Sequence, residues 1–146
     1  MVSQLTKEEL IAALNRDLEL EYAAAIQYIQ HAAVITGAQF SDVQKEIILH
    51  SQQEMQHALS LSTQIDFLGG VPTVGVGPIS TSPDSMEMLK ADLAGEEDAV
   101  NRYRMRIEQA EQLKEYGLRR ILEDILIMEE EHKRDLMAVV YDSKKA

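Results

Sequence analysis

Four stretches of the chain carry apolar residues at alternating steps of three and four, the period that lines one face of an α-helix. The first stripe is Leu14, Leu18, Glu21, Ala25, Tyr28, Ala32 and Ile35, and the second is Ile47, Ser51, Glu54, Ala58, Leu61, Ile65 and Leu68. The third is Leu89, Leu93, Glu96, Val100, Tyr103, Ile107 and Ala110, and the fourth is Leu118, Leu122, Ile125, Glu129, His132, Leu136 and Val139. The pattern predicts an all-α chain of four helices around a common core. One glutamate interrupts each apolar stripe.

Start and stop signals bound the helices. Thr6 with Glu9 forms a capping-box pair and Gly37 is the first strong stop, which predicts a helix over about Lys7–Thr36. Ser41 with Gln44 offers a second start and Gly69-Gly70 a second stop, giving about Asp42–Leu68. Ser82-Pro83 resembles an N-cap followed by proline at the first helical position, so the third helix is expected over 83–116, ended by Gly117. The fourth is expected over 118–141, followed by a frayed tail at 142–146. The breaker-rich segment Gly69–Ser82 reads as a loop. Fourteen residues at ~3.3 Å each span ~46 Å, and a 27-residue helix is ~40 Å long. The loop can therefore traverse the bundle, letting helices two and three run parallel in a long-crossover four-helix arrangement. The whole chain, 1–146, fits one domain.

The interrupting glutamates belong to a repeat. Glu21, Glu54 and His57 recur as Glu96, Glu129 and His132, each 75 residues later. His57 and His132 follow Glu54 and Glu129 by three residues and so project from the same helix face. Neighbours such as Glu97, Glu130 and Glu131 are rotated ~100° or more away from the core. Four ionised carboxylates in a core cost several kcal/mol each unless cations neutralise them. Two divalent ions would balance four negative charges, and oxygen-rich sites with one imidazole per ion suit a pair of transition metals. Tyr28 and Tyr103, each seven residues beyond a glutamate of the set, lie on the same seam as candidate hydrogen-bond or electron donors to the site.

Composition narrows the chemistry. With no cysteine, the chain has no thiolate zinc site, iron–sulfur cluster or thiol relay. The formal net charge of −11 disfavours nucleic acid as a partner and favours cations. No apolar run approaches the ~18 residues of a membrane span and the N-terminus has no leader pattern, so a cytoplasmic location is expected.

Several segments resemble bacterioferritin: Gln-Tyr-Ile-Gln-His-Ala at 27–32, Glu-Met-Gln-His-Ala at 54–58, Phe-Leu-Gly-Gly-Val-Pro at 67–72, Met-Leu-Lys-Ala-Asp-Leu-Ala at 88–94 and Glu-Glu-Glu-His at 129–132. The resemblance spans about residues 8–141 and implies a ferritin-like bundle. It implies a ferroxidase centre holding two iron ions per chain, with Glu21 and Glu96 terminal, Glu54 and Glu129 bridging, and one histidine, His57 or His132, on each ion. Fe(II) would be oxidised there by O₂ or H₂O₂, each ion giving up one electron, for iron storage or detoxification. Met55 falls where bacterioferritins bind haem b between two subunits through paired methionines. That placement implies a homodimer through helices one and two, which Ala23, Ile26 and Ile29 extend as a second apolar surface, and beyond it a larger shell. Three departures stand out: Gln56 replaces the basic residue usual after that methionine, the chain shows no clear fifth helix, and histidine is missing at 46–49 although His50 is adjacent.

The alternative is a peroxidase or oxidase resembling rubrerythrin, acting as a small oligomer without mineral storage. The stretch Ala-Gly-Glu-Glu-Asp-Ala-Val at 94–100 is similar to that family. Its pattern, however, places a further ligand glutamate where this chain has Ala99. A DNA-binding shell similar to starvation-protection proteins is opposed by the acidic charge.

Overall fold

A computed structural model describes residues 4–141. Four long helices, α1 (Lys7–Val34), α2 (Ser41–Phe67), α3 (Ser85–Gln112) and α4 (Tyr116–Val140), build the fold, and a 3-10 turn at Ala38–Phe40 joins the first two. Neither the tail 142–146 nor a fifth helix there falls within the described residues. Among those residues no helix is long and apolar enough to cross a membrane.

The capping box forms at the start of α1, where Thr6 Oγ1 accepts from the Glu9 amide at 3.1 Å and Glu9 Oε1 accepts from the Thr6 amide at 2.9 Å. At α2 the expected Ser41 cap does not form. The 3-10 turn runs straight into the helix, and Gln44 instead donates to the Ala32 carbonyl at 2.7 Å, tying α2 to the end of α1. Asp84, not Ser82, caps α3 by accepting from the Glu87 amide at 2.8 Å. Ser82 accepts from the Asp84 amide and shapes the approach.

The junction between α3 and α4 also departs from expectation. The chain reverses at Lys114 (φ 59), and Gly117 lies inside the first turn of α4. Bonds from the Lys114 amide to Glu111 and from the Glu115 amide to Ala110, both 2.9 Å, close the end of α3. Hydrogen bonding and packing of Leu113 against the core thus hold a lysine where glycine is the easier residue. At the end of α2 glycine does take this role, with Gly69 at φ 95.

The crossover follows α1 closely. Asn15 bonds both the Val71 carbonyl and the Thr73 amide, the Gly77 amide donates to the Glu19 carbonyl, and Gln27 accepts from the Ser80 amide. Contacts thus advance from residue 15 to residue 27 of α1, ~18 Å along its axis, as the loop advances from 71 to 80. Ser85 then bonds the backbone of Thr36, so α3 begins beside the C-terminal end of α1. Helices α2 and α3 therefore run parallel, and α1 packs mainly on α2 as α3 does on α4.

The core has two apolar ends. One contains Leu10, Leu14, Leu18, Leu61, Ile65 and Leu122, and the other contains Phe40, Val43, Ile47, Met88, Leu89 and Leu136. The four glutamates of the stripes lie between them. Replacing Lys114 with glycine removes a left-handed strain of roughly 1–2 kcal/mol, partly offset by glycine's larger unfolded-state entropy. Lys114→Gly is expected to stabilise the fold by about 0.5–1 kcal/mol in urea unfolding; a loss of stability would contradict this account of the junction.

Candidate metal centre

Each helix delivers one glutamate to the middle of the bundle because that glutamate occupies a core position of its stripe. Glu21, Glu54, Glu96 and Glu129 are all at most 2% exposed, and His57 and His132 are also buried. Two groups of four result: Glu21, Glu54, His57 and Glu129, and Glu54, Glu96, Glu129 and His132. Within each group one potential ligand atom per residue lies within 4.8 Å of the others. Glu54 and Glu129 belong to both groups, while Glu21 and Glu96 belong to one each.

The imidazoles face the carboxylates through Nδ1. His57 Nδ1 is 3.1 Å from Glu54, 3.4 Å from Glu129 and 3.6 Å from Glu21. His132 Nδ1 is 3.4 Å from Glu129, 3.5 Å from Glu96 and 3.6 Å from Glu54. These contacts lack hydrogen-bond geometry. Among the described residues, buried atoms left without a hydrogen-bond partner include Glu21 Oε2, Glu54 Oε1, Glu96 Oε2, Glu129 Oε1 and both Nδ1 atoms. One unmet buried polar atom costs ~1–3 kcal/mol, so six converging donors fit a pair of cations far better than an apolar core.

A surrounding set of hydrogen bonds fixes the donors. Tyr103 donates to Glu21 Oε1 at 2.5 Å and Tyr28 donates to Glu96 Oε1 at 2.6 Å, so each tyrosine holds the glutamate of the other half. His132 Nε2 donates to Gln53 Oε1 at 2.6 Å, which keeps Nδ1 turned towards the centre. Farther out, the 75-residue repeat continues. Buried Asp17 bonds Arg102 and Arg106, and its counterpart Asp92 bonds Gln27 and His31, themselves the counterparts of those arginines.

Electrostatics record the crowding. Burial first, then the charge of Glu129, raises Glu21 and Glu54, and raises Glu96 to about 7. Burial would also raise Glu129, but both imidazoles outweigh it and hold Glu129 well below the usual carboxylate range. Burial would lower the imidazoles, yet the carboxylates beside them raise His57 to about 10 and His132 to about 9. Burial and nearby carboxylates keep both tyrosines protonated. Like charges forced together titrate apart.

Of the residues singled out in the sequence, the six glutamates and histidines come together and both tyrosines touch the set. Met55 does not; it is 48% exposed on the outer side of α2. Gln53 and the two aspartate networks carry no signal in the apolar stripes, and His50, noted in the sequence only as adjacent to 46–49, turns inward. His50 is buried and stacks on His132 with centroids 3.9 Å apart, while its Nε2 lies 3.3 Å from Asp135. The repeat could have revealed the aspartates, because Asp17, Gln27 and His31 map onto Asp92, Arg102 and Arg106. It could not reveal His50 or Gln53, whose counterparts are Ile125 and Met128.

Comparison with known proteins gives the family. The family described as Ferritin-like domain matches residues 11–145. The chain is 32% identical to a bacterioferritin of Brucella melitensis over 125 residues, covering 85% of this chain and 78% of that protein. Among solved structures, it is similar to one described as ferritin-like, diiron-carboxylate proteins from Bacillus anthracis, with a TM-score of 0.88, 34% identity and coverage of 92% and 96%. It is also similar to a dodecameric thioferritin, the bacterioferritin-related protein from Bacteroides fragilis, with a TM-score of 0.88, 31% identity and coverage of 97% and 90%. The chain belongs to the ferritin-like family. Its bacterioferritin relatives and its paired carboxylate–histidine clusters make iron storage or oxidation its general chemistry.

Protons compete with cations at this centre. Groups whose values are raised hold protons near neutrality, so divalent ions must displace them. Co(II) affinity is expected to rise about tenfold per pH unit for each proton displaced, measured by calorimetry in buffers of different ionisation heat. In the metal-free chain the raised histidines stabilise the fold fully below 6.5, and this contribution is lost as pH rises through about 9 to 10. Its thermal midpoint should therefore fall between pH 7 and 10. Affinity that is flat from pH 6 to 8 would rule out these residues as the ligand set.

Proposed function

We propose that this chain is a ferroxidase, oxidising Fe(II) to Fe(III) with O₂ or H₂O₂ at the centre formed by Glu21, Glu54, His57, Glu96, Glu129 and His132, for iron storage or detoxification. The observation that carries this reading is the sharing of Glu54 and Glu129 between two ligand groups, each completed by one terminal glutamate and one imidazole. Two Fe(II) ions bound side by side supply one electron each to a common oxidant. Two electrons and two protons convert O₂ to H₂O₂, or H₂O₂ to two waters.

The protein residues prepare that exchange. Glu54 and Glu129, common to both groups, would hold both ions, and Glu21 and Glu96 would hold one each. Tyr103 and Tyr28 fix the free oxygens of those terminal carboxylates, while Gln53 fixes the tautomer and tilt of His132. Hard oxygen donors favour the ferric product. The chain's Ala99, buried and without a donor atom, supports this reading over the rubrerythrin-like one.

Assembly follows from a different surface. Ile26 and Ile29 on α1, and Met55 and Leu59 on α2, are 44 to 63% exposed. A homodimer through α1 and α2 would bury them and bring two copies of Met55 together, with haem b held between their sulfurs. The structurally similar Bacteroides fragilis protein is a dodecamer, which supports a larger shell as the next level.

Glu54→Ala and Glu129→Ala each remove an oxygen donor common to both ions. Either is expected to slow Fe(II) oxidation by about 10²-fold or more, a loss of ~2.7 kcal/mol in transition-state stabilisation, followed as ferric absorbance in stopped flow. Retained rates in both variants would refute the proposal. For haem, the expected result is a bis-methionine absorption spectrum after haemin addition and reduction, at one haem per two chains, lost in Met55→Leu. An unchanged spectrum in that variant would remove Met55 from haem binding.

A further inference from the structure

We infer that Fe(II) reaches the centre through the cleft between α1 and α3, and that Gly95 keeps this cleft open. The inference rests on the reading of the centre as an iron-oxidising site, and it concerns the route, which that reading leaves open. A cavity of about 90 Å³ lies between the two helices, with room for a few waters or a partly hydrated divalent ion. Pro78 of the crossover, Gly95 and Asp98 form its exposed mouth. Its floor contains Glu21 and Glu96, each 2% exposed and each with Oε2 unpartnered. An ion entering here meets the terminal carboxylates first.

Between mouth and floor the side chains are small. Ala23 and Ala99, each 4% exposed, line the passage. On α3, Asp92, Gly95, Ala99 and Arg102 recur at steps of three and four, so a side chain at position 95 would share the stripe that lines the cleft. Packing does not require glycine there, because a Cβ at position 95 would meet nothing within 4 Å. Glycine also weakens a helix interior relative to alanine. An unobstructed path to two buried carboxylates accounts for its presence.

The opposite side of the bundle is less suited to a cation. A cavity between α2 and α4 is lined by Gln53, His57, Ser60 and Met128, with Asp124 its sole carboxylate. It leads to the ring of His57 and to the Gln53 amide that bonds His132. None of the four central glutamates lines it.

The test uses the metal-free full chain and Co(II), whose visible absorption reports binding without oxidation. Gly95→Leu is expected to lower the rate constant of Co(II) uptake by about tenfold, a barrier change set by the same exponential that governs any rate. Gly95→Ala should show a smaller fall in rate, and the uptake at equilibrium should remain two ions per chain. The thermal midpoint of both variants should equal or exceed that of the parent. Ser60→Leu, on the α2/α4 side, should load at the parental rate. Unslowed uptake by Gly95→Leu, or slowing confined to Ser60→Leu, overturns the route while leaving the centre intact. Failure of the parent chain to take up two Co(II) ions overturns both the centre and the route.

Discussion

Four carboxylates held at the middle of one apolar core are the constraint on which the rest of this protein depends. No arrangement of leucine and isoleucine compensates them, and they repel one another. Without cations, burial and the Glu129 charge push Glu21, Glu54 and Glu96 up, while the two imidazoles hold Glu129 down. Bound cations would supply fixed positive charge against this crowding. The same six side chains crowd one buried site, and apolar clusters pack at either end of it.

Twofold repetition is the means by which the bundle meets this constraint. Because the two halves are antiparallel copies in space, each tyrosine reaches the terminal glutamate of the opposite half. Each half also carries a buried aspartate one turn before its glutamate. The copies differ in what surrounds them: two arginines at Asp17, but a glutamine and a histidine at Asp92. The Asp92 group also bonds Ser80, so it anchors the crossover as well as supporting the site. His50, stacked on His132, has only Ile125 as its counterpart. The two carboxylate–histidine groups are therefore similar in composition and unequal in environment.

The crossover serves the same end. Parallel α2 and α3 require a connection along the bundle, and hydrogen bonds to Asn15, Glu19 and Gln27 hold it against α1. That course brings Pro78 beside the gap between α1 and α3 without filling it.

Periodicity alone was enough to read the helical class, the four glutamate-interrupted stripes and the inward face shared by the four glutamates and two histidines, because a helix's period converts spacing into direction. The sequence also marked the long loop and, through the 75-residue offset, the duplication. Local signals were weaker at the junctions: a glycine at 117 looked like a stop, but hydrogen bonds from Lys114 and Glu115 ended α3 first. Which tyrosine holds which carboxylate and the inward turn of His50 came only with tertiary structure. Each depends on how antiparallel helices meet across tens of residues, and periodicity within one helix carries no information about its depth and rotation against another.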